Sequence, residues 1–312
     1  GDWRVGKRQP PTDATARVLV VQGNVGNLEK VYAEKREGYR EEILRRYFRL
    51  TRQGLGQAQG RSPDFALWPE TAFPATILPD RLQAGYSGVL SDFVRFHGIP
   101  LITGAWGHDP VRGKMTNSMA FLGRDGGMAD RPYDKVHLLI FGEYFPLSDR
   151  FPAVKRWFPW MADFARGPGP EVRKIGVLRV GPQICYEGLF PDFSRGLSGR
   201  GAQLFVNVTN DSWFGAPAEP RQHLFMTLAR GIEFRRPVVR ATNTGISAAM
   251  TADGTLLDLS PLDAEWTCLY ESPYRKEPRP TFYQEYGFRL VPALLWLVTG
   301  ILVVAGRGGR AK

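Results

Sequence analysis

Short apolar runs rich in β-branched residues recur along this chain, and helical patterns separate many of them. Residues 16–22 (ARVLVVQ) and 204–209 (LFVNVT) are examples. Runs of this length and composition are typical of strands that are buried on both faces. A strand-and-helix rhythm of this kind predicts a sheet covered by helices, so the fold class is predicted to be α/β. At 312 residues and 43% hydrophobic, the chain has ample core for one large domain or two smaller ones.

The stretch 175–190 (IGVLRVGPQICYEGLF) predicts a strand that ends in a sharp turn with a thiol at its tip. At such a turn Cys185 can meet a helix N-terminus or backbone N–H groups, which lower a thiol's pKa and later hold an oxyanion. A buried structural cysteine is the alternative. For Cys268, in an alternating segment, we expect core packing.

Two other strand ends carry charged residues. Pro69 stops the apolar run at 64–68, and Glu70 follows it at the edge where α/β folds place their chemistry. Lys135 stands between a short strand and an apolar run, and a lysine near a thiol stabilises the thiolate. Taken singly, both residues also fit solvated loops.

The net charge indicates which kinds of partner the chain could bind. The chain has 41 Lys+Arg against 31 Asp+Glu, a net charge of +10, which suits nucleic acid or anionic lipid headgroups. No basic run with interleaved aromatic residues marks a base-stacking surface, so we expect no nucleic-acid partner. Two cysteines and four histidines offer no metal-ligand spacing, and we expect neither a metal nor another cofactor.

Residues 290–306 (LVPALLWLVTGILVVAG) contain no charge and predict a transmembrane helix, with a buried C-terminal helix as the alternative. The basic tail at 307–312 fits a cytoplasmic end, which places the preceding residues on the periplasmic side. The predicted organisation is an N-terminal segment (1–15), a catalytic domain (16–275), a linker (276–289), the transmembrane helix and the tail.

Residues 150–170 (RFPAVKRWFPWMADFARGPGP) combine aromatic residues with prolines and fit no regular element. We interpret this segment either as a lid over a lipid-facing cleft or as ordinary packing.

Three motifs occur in order: Trp68-Pro69-Glu70, Tyr133-Asp134-Lys135 and Ile184-Cys185-Tyr186-Glu187. Their order and contexts resemble the nitrilase, or carbon-nitrogen hydrolase, superfamily over roughly residues 16–275. The resemblance implies a four-layer α-β-β-α sandwich and a catalytic triad of Glu70, Lys135 and Cys185.

Within that superfamily the chain is similar to the apolipoprotein N-acyltransferase family. The motifs that carry the likeness are QGNV (22–25), WPETA (68–72), HLLIFGEYFP (137–146), ICYE (184–187), NDSWFG (210–215), QH (222–223) and RPVVRATNTGIS (236–247). The chain departs from the family at Leu139-Ile140, where Val-Pro is usual, and at Gly26, where Pro is frequent. The family's several N-terminal membrane helices are expected either to have been removed or to belong to a separate chain.

This second resemblance implies an enzyme of the bacterial inner membrane. Such an enzyme is expected to move a fatty acyl chain from a phospholipid, through a cysteine thioester, to the N-terminal amine of diacylglyceryl-cysteine on an apolipoprotein. The same triad with water as acceptor would make an amidase or nitrilase. A non-catalytic, membrane-anchored binding module is the third hypothesis, which an absent triad residue would have favoured.

Further residues match family positions. Glu143 and Glu187 are expected to order the Lys135 and Cys185 loops or, equally, to accept backbone hydrogen bonds as structural residues. Tyr186 either closes an acyl pocket or packs in the core. Asn210 and Trp213 are expected to bind substrate, with Trp213 as a wall of the site. The four histidines are interpreted as structural.

Overall fold

The computed structural model describes residues 12–26, 37–145, 162–213 and 218–308, and it contains two six-stranded sheets. The first has the order β12-β1-β2-β3-β4-β5 and the second β11-β10-β9-β8-β7-β6. The strands are β1 (Ala14–Gln22), β2 (Phe65–Leu67), β3 (Leu101–Asp109), β4 (Lys114–Leu122), β5 (Tyr133–Asp134), β6 (Arg173–Ile175), β7 (Leu178–Ile184), β8 (Leu204–Thr209), β9 (Val238–Thr242), β10 (Ala248–Met250), β11 (Leu256–Leu259) and β12 (Trp266–Tyr274).

Each sheet has a parallel centre with antiparallel strands beside it. In the first, β1, β2 and β3 are parallel, while β12 and the β4 hairpin strand run antiparallel. In the second, β7, β8 and β9 are parallel. The carboxyl ends of the parallel strands within a sheet lie at one edge, which is where the candidate residues were predicted.

The helices are α1 (Glu37–Gln57), α2 (Gly85–His97), α3 (Pro191–Gly199), α4 (Ala218–Phe234) and α5 (Phe288–Gly308). Strand β1 shows how they pack. Val18 and Val20 belong to the cluster that also holds β8 side chains, whereas Leu19 and Val21 pack in the cluster that holds α1 and α2. Because successive side chains point to opposite faces of a strand, both faces of β1 are covered.

The α/β class and the two-faced burial of residues 18–22 and 204–209 are confirmed, whereas Arg17 is exposed. The prediction of a single strand beginning at residue 175 was wrong in detail. Ile175 ends β6, Gly176 turns with a φ of 56°, and β7 begins at Leu178. Pro182 lies inside β7 and has no main-chain N–H. Strand β6 pairs with β7 only as far as Val180, so no residue of β6 lies opposite Pro182 and loses a hydrogen bond.

Helix α5 carries the predicted apolar segment. Residues 283–303 are long and apolar enough to cross a membrane, by length and composition alone. Its side chains are exposed rather than packed, with Trp296 at 78%. The segment before it contacts the second sheet's helices, since Thr281 donates to the Glu233 carbonyl and Arg195 to that of Gln284. The predicted domain limits stay a prediction.

Candidate active site

Three strand ends bring the predicted triad together. Glu70 lies just after β2, Lys135 directly after β5 and Cys185 directly after β7. Lys135 is 2% exposed and Glu70 6% exposed, and Lys135 Nζ lies 3.3 Å from Glu70 Oε1. The charges of both residues act on the Cys185 thiol. The structure therefore places a carboxylate, an ammonium and a thiol at one site.

The Glu70 carboxylate is held by donors from three different segments. Besides Lys135, Asn117 Nδ2 donates to Oε1 at 2.7 Å and the Asn210 main-chain N–H to Oε2 at 2.8 Å. Neighbouring Thr71 has a φ of 50°, so the chain turns sharply after the strand. These donors fix the direction in which the carboxylate points.

Glycine at position 104 permits this turn to pack on β3. A Cβ atom built on Gly104 would lie 2.5 Å from both the Glu70 Cα and the Thr71 N. Both are backbone atoms, so no rotamer change could relieve the contact. Gly104 thus sets how closely the Glu70 turn approaches the sheet.

Lys135 lies between two carboxylates. Its Nζ donates to Glu143 Oε1 at 2.9 Å as well as to Glu70, while Glu143 Oε2 accepts the Leu139 N–H at 2.8 Å. Burial alone would lower the pKa of Lys135, but Glu70, Cys185 and Glu143 together raise it well above its ordinary value. An ammonium has three donors, so one is left after these two bonds.

Cys185 is the first residue of a short 3-10 helix (Cys185–Leu189) and has a φ of 55°, in the left-handed region. The residue is partly accessible, yet burial of the thiol, reinforced by the Glu70 charge, raises its pKa to about 12, with Lys135 acting in the opposite direction. The thiol is thus in its neutral form near neutral pH. A neutral thiol needs a base before it can act as a nucleophile.

Glu187 links the Lys135 and Cys185 loops. It is fully buried, and its Oε1 accepts the N–H groups of Val136 and His137 at 2.6 and 3.1 Å. Its Oε2 accepts the Ile184 N–H at 2.8 Å and the Tyr133 hydroxyl at 2.9 Å. Burial raises the pKa of Glu187 to about 7 against the lowering effect of the three backbone donors. The side chain ties one strand end to the other.

The other residues predicted for the site are Tyr186, Asn210 and Trp213. Tyr186 is half-buried, and Lys135 Nζ lies 5.5 Å from its ring centroid. The Asn210 side chain accepts from Ser212 and Asn243, so its main chain rather than its amide contacts Glu70. Trp213 ends a short 3-10 helix, and its side chain lies outside the described part of the structure. Most of the aromatic segment at 150–170 also lies outside it.

Residues 4–272 match the carbon-nitrogen hydrolase family. This chain belongs to the carbon-nitrogen hydrolase family. Among curated proteins it is 44% identical to an apolipoprotein N-acyltransferase of Bdellovibrio bacteriovorus, over 92% of this chain and 54% of that protein. It is 33% identical to one of Geobacter metallireducens, over 97% of this chain and 56% of that protein. The chain thus spans about half the length of these relatives.

Solved structures of the family share the fold at low identity. An amidase from Nesterenkonia sp. superposes with a TM-score of 0.56 and 18% identity, covering 87% of this chain and 94% of that one. A carbon-nitrogen hydrolase from Helicobacter pylori gives a TM-score of 0.59 and 16% identity, covering 83% and 89%. The two-sheet α/β architecture is therefore that of a nitrilase-like protein.

Sequence reasoning missed several residues of this carbon-nitrogen hydrolase site. Asn117 donates both to Glu70 and to Glu143 Oε1, each at 2.7 Å, and Asn243 Nδ2 donates to the Glu70 carbonyl at 3.1 Å. A signal existed for Asn117, because an amide in the apolar run NSMAFL has to find a partner when it is buried. Gly104 gave no such signal, since only the packed structure shows what approaches it.

Proposed function

We propose that this chain carries the catalytic centre of a bacterial lipoprotein N-acyltransferase, with a phospholipid as acyl donor and the N-terminal amine of an apolipoprotein as acceptor. The observation that carries the proposal is the buried Glu70–Lys135 pair beside the Cys185 thiol, in a chain 44% identical to a protein of that name. The exposed, apolar α5 supports attachment to the inner membrane. The catalytic domain would then lie on the periplasmic side, as the basic tail suggests.

The arrangement of helices supports a four-layer α-β-β-α sandwich as the frame of this centre. Side chains of α1 and α2 share a cluster with the outer face of the first sheet, and those of α3 and α4 pack with the second. The catalytic strand ends are thereby held between two covered sheets.

In the first half-reaction Glu70 takes the proton of the Cys185 thiol while the sulfur attacks the ester carbonyl of a phospholipid. The third donor of Lys135 and the Tyr186 N–H face the developing oxyanion, and one such donor contributes about 3 kcal/mol in comparable sites. The ester C–O bond breaks, Glu70 returns the proton to the leaving oxygen, and a lysophospholipid departs. The acyl chain stays on Cys185 as a thioester.

In the second half-reaction the neutral α-amine of diacylglyceryl-cysteine attacks the thioester carbonyl. Glu70 accepts a proton from the amine nitrogen, the C–S bond breaks, and that proton returns to the Cys185 sulfur. An amide is formed and the free thiol is restored. No step requires a group that the chain itself does not supply.

Asn117, Glu143 and Glu187 support these steps by position. Asn117 and Glu143 keep Lys135 and Glu70 in contact, and Glu187 fixes the Lys135 loop to the Cys185 strand. Asn210 and Trp213 remain proposed contacts for substrate, and Tyr186 is proposed to close the acyl pocket. The hydrolytic alternative, with water as acceptor, rests on likeness of fold to the amidases.

The test is intact mass after incubation of the protein with phospholipid in detergent, with and without hydroxylamine. An adduct of acyl mass that hydroxylamine removes is expected on the native protein and not on Cys185→Ala, which leaves little cavity at a strand-end turn. An adduct of equal yield on Cys185→Ala would remove that residue from the mechanism. No adduct, together with hydrolysis of small amides, would assign the chain to the amidases.

A further inference from the structure

A row of polar residues crosses the second sheet directly behind the nucleophile. In the strand register Gln183 of β7 pairs with Asn207 of β8, and Asn207 pairs with Arg240 of β9. All three side chains are fully buried, within strands that are otherwise largely apolar. Burying a guanidinium is costly unless its hydrogen bonds are well made, so the row calls for an explanation.

Arg240 holds two partners at once with its guanidinium. Nη1 donates to Asn207 Oδ1 at 2.6 Å and Nη2 to Asp211 Oδ2 at 2.8 Å. Asp211 Oδ1 in turn lies 3.0 Å from His223 Nδ1 and accepts the Thr209 hydroxyl at 3.1 Å. The Arg240 charge thus has an ionised partner in the same buried layer.

The bond from Arg240 decides which way the Asn207 amide points. A guanidinium can only donate, so the amide oxygen has to face Arg240 and the amide nitrogen has to face away from it. That nitrogen donates to the Cys185 carbonyl at 2.9 Å and to the Gln183 carbonyl at 3.2 Å. The order Arg240, Asn207, Cys185 carbonyl is therefore a directional chain of hydrogen bonds.

The residue at the end of this chain has an unusual backbone. Cys185 has a φ of 55°, a region that L-residues with a side chain adopt only when surrounding contacts hold them there. Its main-chain carbonyl is the group that accepts the hydrogen bond from Asn207. Releasing that carbonyl would let the turn relax and move the sulfur away from Glu70.

We propose that Asn207, oriented by the Arg240–Asp211 pair, is a positioning residue that holds the Cys185 turn in its left-handed conformation and so aims the thiol at Glu70. The catalytic purpose of this positioning rests on the proposed function. The positioning itself concerns only the Cys185 thiol and can be tested without acyl transfer. His223 belongs to the same unit through Asp211, and its ring also interacts with the Cys185 main chain.

The decisive variant is Asn207→Asp. A carboxylate has the shape of the amide and still accepts from Arg240, but it cannot donate to the Cys185 carbonyl. The measurement is the rate of alkylation by iodoacetamide at each cysteine, read by peptide mass spectrometry across pH 6–10. Cys268, on β12 of the other sheet, serves as the internal reference in every sample. Ser194→Ala is the matched control, because it removes a buried hydrogen bond to the Gln183 side chain and leaves the Cys185 carbonyl bonded.

We expect Asn207→Asp to slow alkylation of Cys185 about tenfold or more near neutral pH, because a misplaced thiol loses its base, while the rate at Cys268 changes less than about twofold. Ser194→Ala should match the wild type at both cysteines. An unchanged rate and pH profile at Cys185 in a folded Asn207→Asp protein would overturn the proposal.

A second variant covers the case in which Asn207→Asp unfolds, which equal acceleration at both cysteines would reveal. Arg240→Lys keeps the charge beside Asp211 but cannot hold Asn207 and Asp211 together with one planar fork. It should slow Cys185 alkylation in the same way, and a wild-type rate there would also overturn the proposal. Alkylation needs no lipid, so failure to form an acyl adduct would overturn the proposed function alone.

Discussion

Two buried ion pairs flank the candidate nucleophile, and they are built differently. Lys135 meets Glu70 and Glu143 from loops that follow strand ends, with Nζ distances of 3.3 and 2.9 Å. Arg240 lies within β9. Its guanidinium donates to Asn207 on the neighbouring strand β8 and to Asp211, which follows β8. The Lys135 ammonium keeps one donor after these two bonds, whereas both terminal nitrogens of the Arg240 guanidinium donate to protein acceptors. In the proposed function, the charge that takes part in the reaction is carried on strand ends, and the charge that positions the thiol is carried within a sheet.

The largest expected effect comes from Lys135→Met. It leaves the buried Glu70 carboxylate and the partly buried Glu143 carboxylate without their cation, so we expect a loss of about 3–5 kcal/mol in unfolding free energy. Acyl-adduct formation should fall by about 1,000-fold or more, because the oxyanion also loses a donor. Denaturant unfolding and the intact-mass assay measure the two effects.

The matched control is Lys114→Met. Lys114 Nζ lies 3.2 Å from Asp163 Oδ1, but about a quarter of each side chain is exposed. Removal of such a partly exposed pair should cost about 1 kcal/mol or less and leave adduct formation at the wild-type rate. Equal losses in the two variants would contradict the distinction between partly exposed and buried pairs.

The next prediction tests the position of the Glu70 carboxylate without changing any charge. Gly104→Ala adds one methyl group against the backbone of Glu70 and Thr71 and changes no titratable residue. A shift of the Glu70 turn by about 1 Å should reduce adduct formation about 100-fold. Gly56→Ala, in α1 with open space around it, is the control and should raise stability by about 0.5–1 kcal/mol without changing the rate. Normal kinetics in Gly104→Ala would show that the Glu70 turn tolerates displacement.

Glu187 tests the link between the two loops through pH. Its folded pKa is raised from 4.5 to about 7 by burial, so the native state binds this proton more tightly than the unfolded chain does. The resulting stability is fully present below pH 4.5 and is lost as the pH rises through 7, about 3 kcal/mol in all. Glu187→Gln should remove this fall from a series of urea unfolding curves between pH 4.5 and 8. Glu271→Gln, an exposed change on β12, should retain it.

The smallest expected effect belongs to the pair behind the nucleophile and has the opposite sign. Burial would raise the pKa of Asp211, but Arg240 and His223 hold it at about 2, below the ordinary 3.8. Its stability contribution is present above pH 3.8 and is lost as the pH falls through 2, about 2 kcal/mol. Asp211→Asn should flatten the acid limb of the unfolding curve between pH 4 and 2. A wild-type limb in that variant would mean that other carboxylates cause acid unfolding.

The sequence placed Glu70, Lys135 and Cys185 at strand ends, and the structure has them there. Apolar runs bounded by Pro69 or Gly188 made this possible, since strands and turns follow from local pattern. The same pattern misjudged β2, which has only three residues, and it overlooked Asn117, Asn207 and Arg240. These polar residues lie within strands, where their partners come from other segments.

What the sequence by itself determined is therefore the order of strands and helices and the residues that stand where the strands end. The resemblance implied that three of these residues form a triad, but only the tertiary structure showed which groups surround them. The Asn210 N–H that reaches Glu70 comes from 140 residues away, and the Lys135 ammonium from 65. Such contacts depend on strand register and on how closely two sheets pack, as at Gly104. Sequence periodicity describes neighbours along the chain and carries no information about how closely two sheets pack.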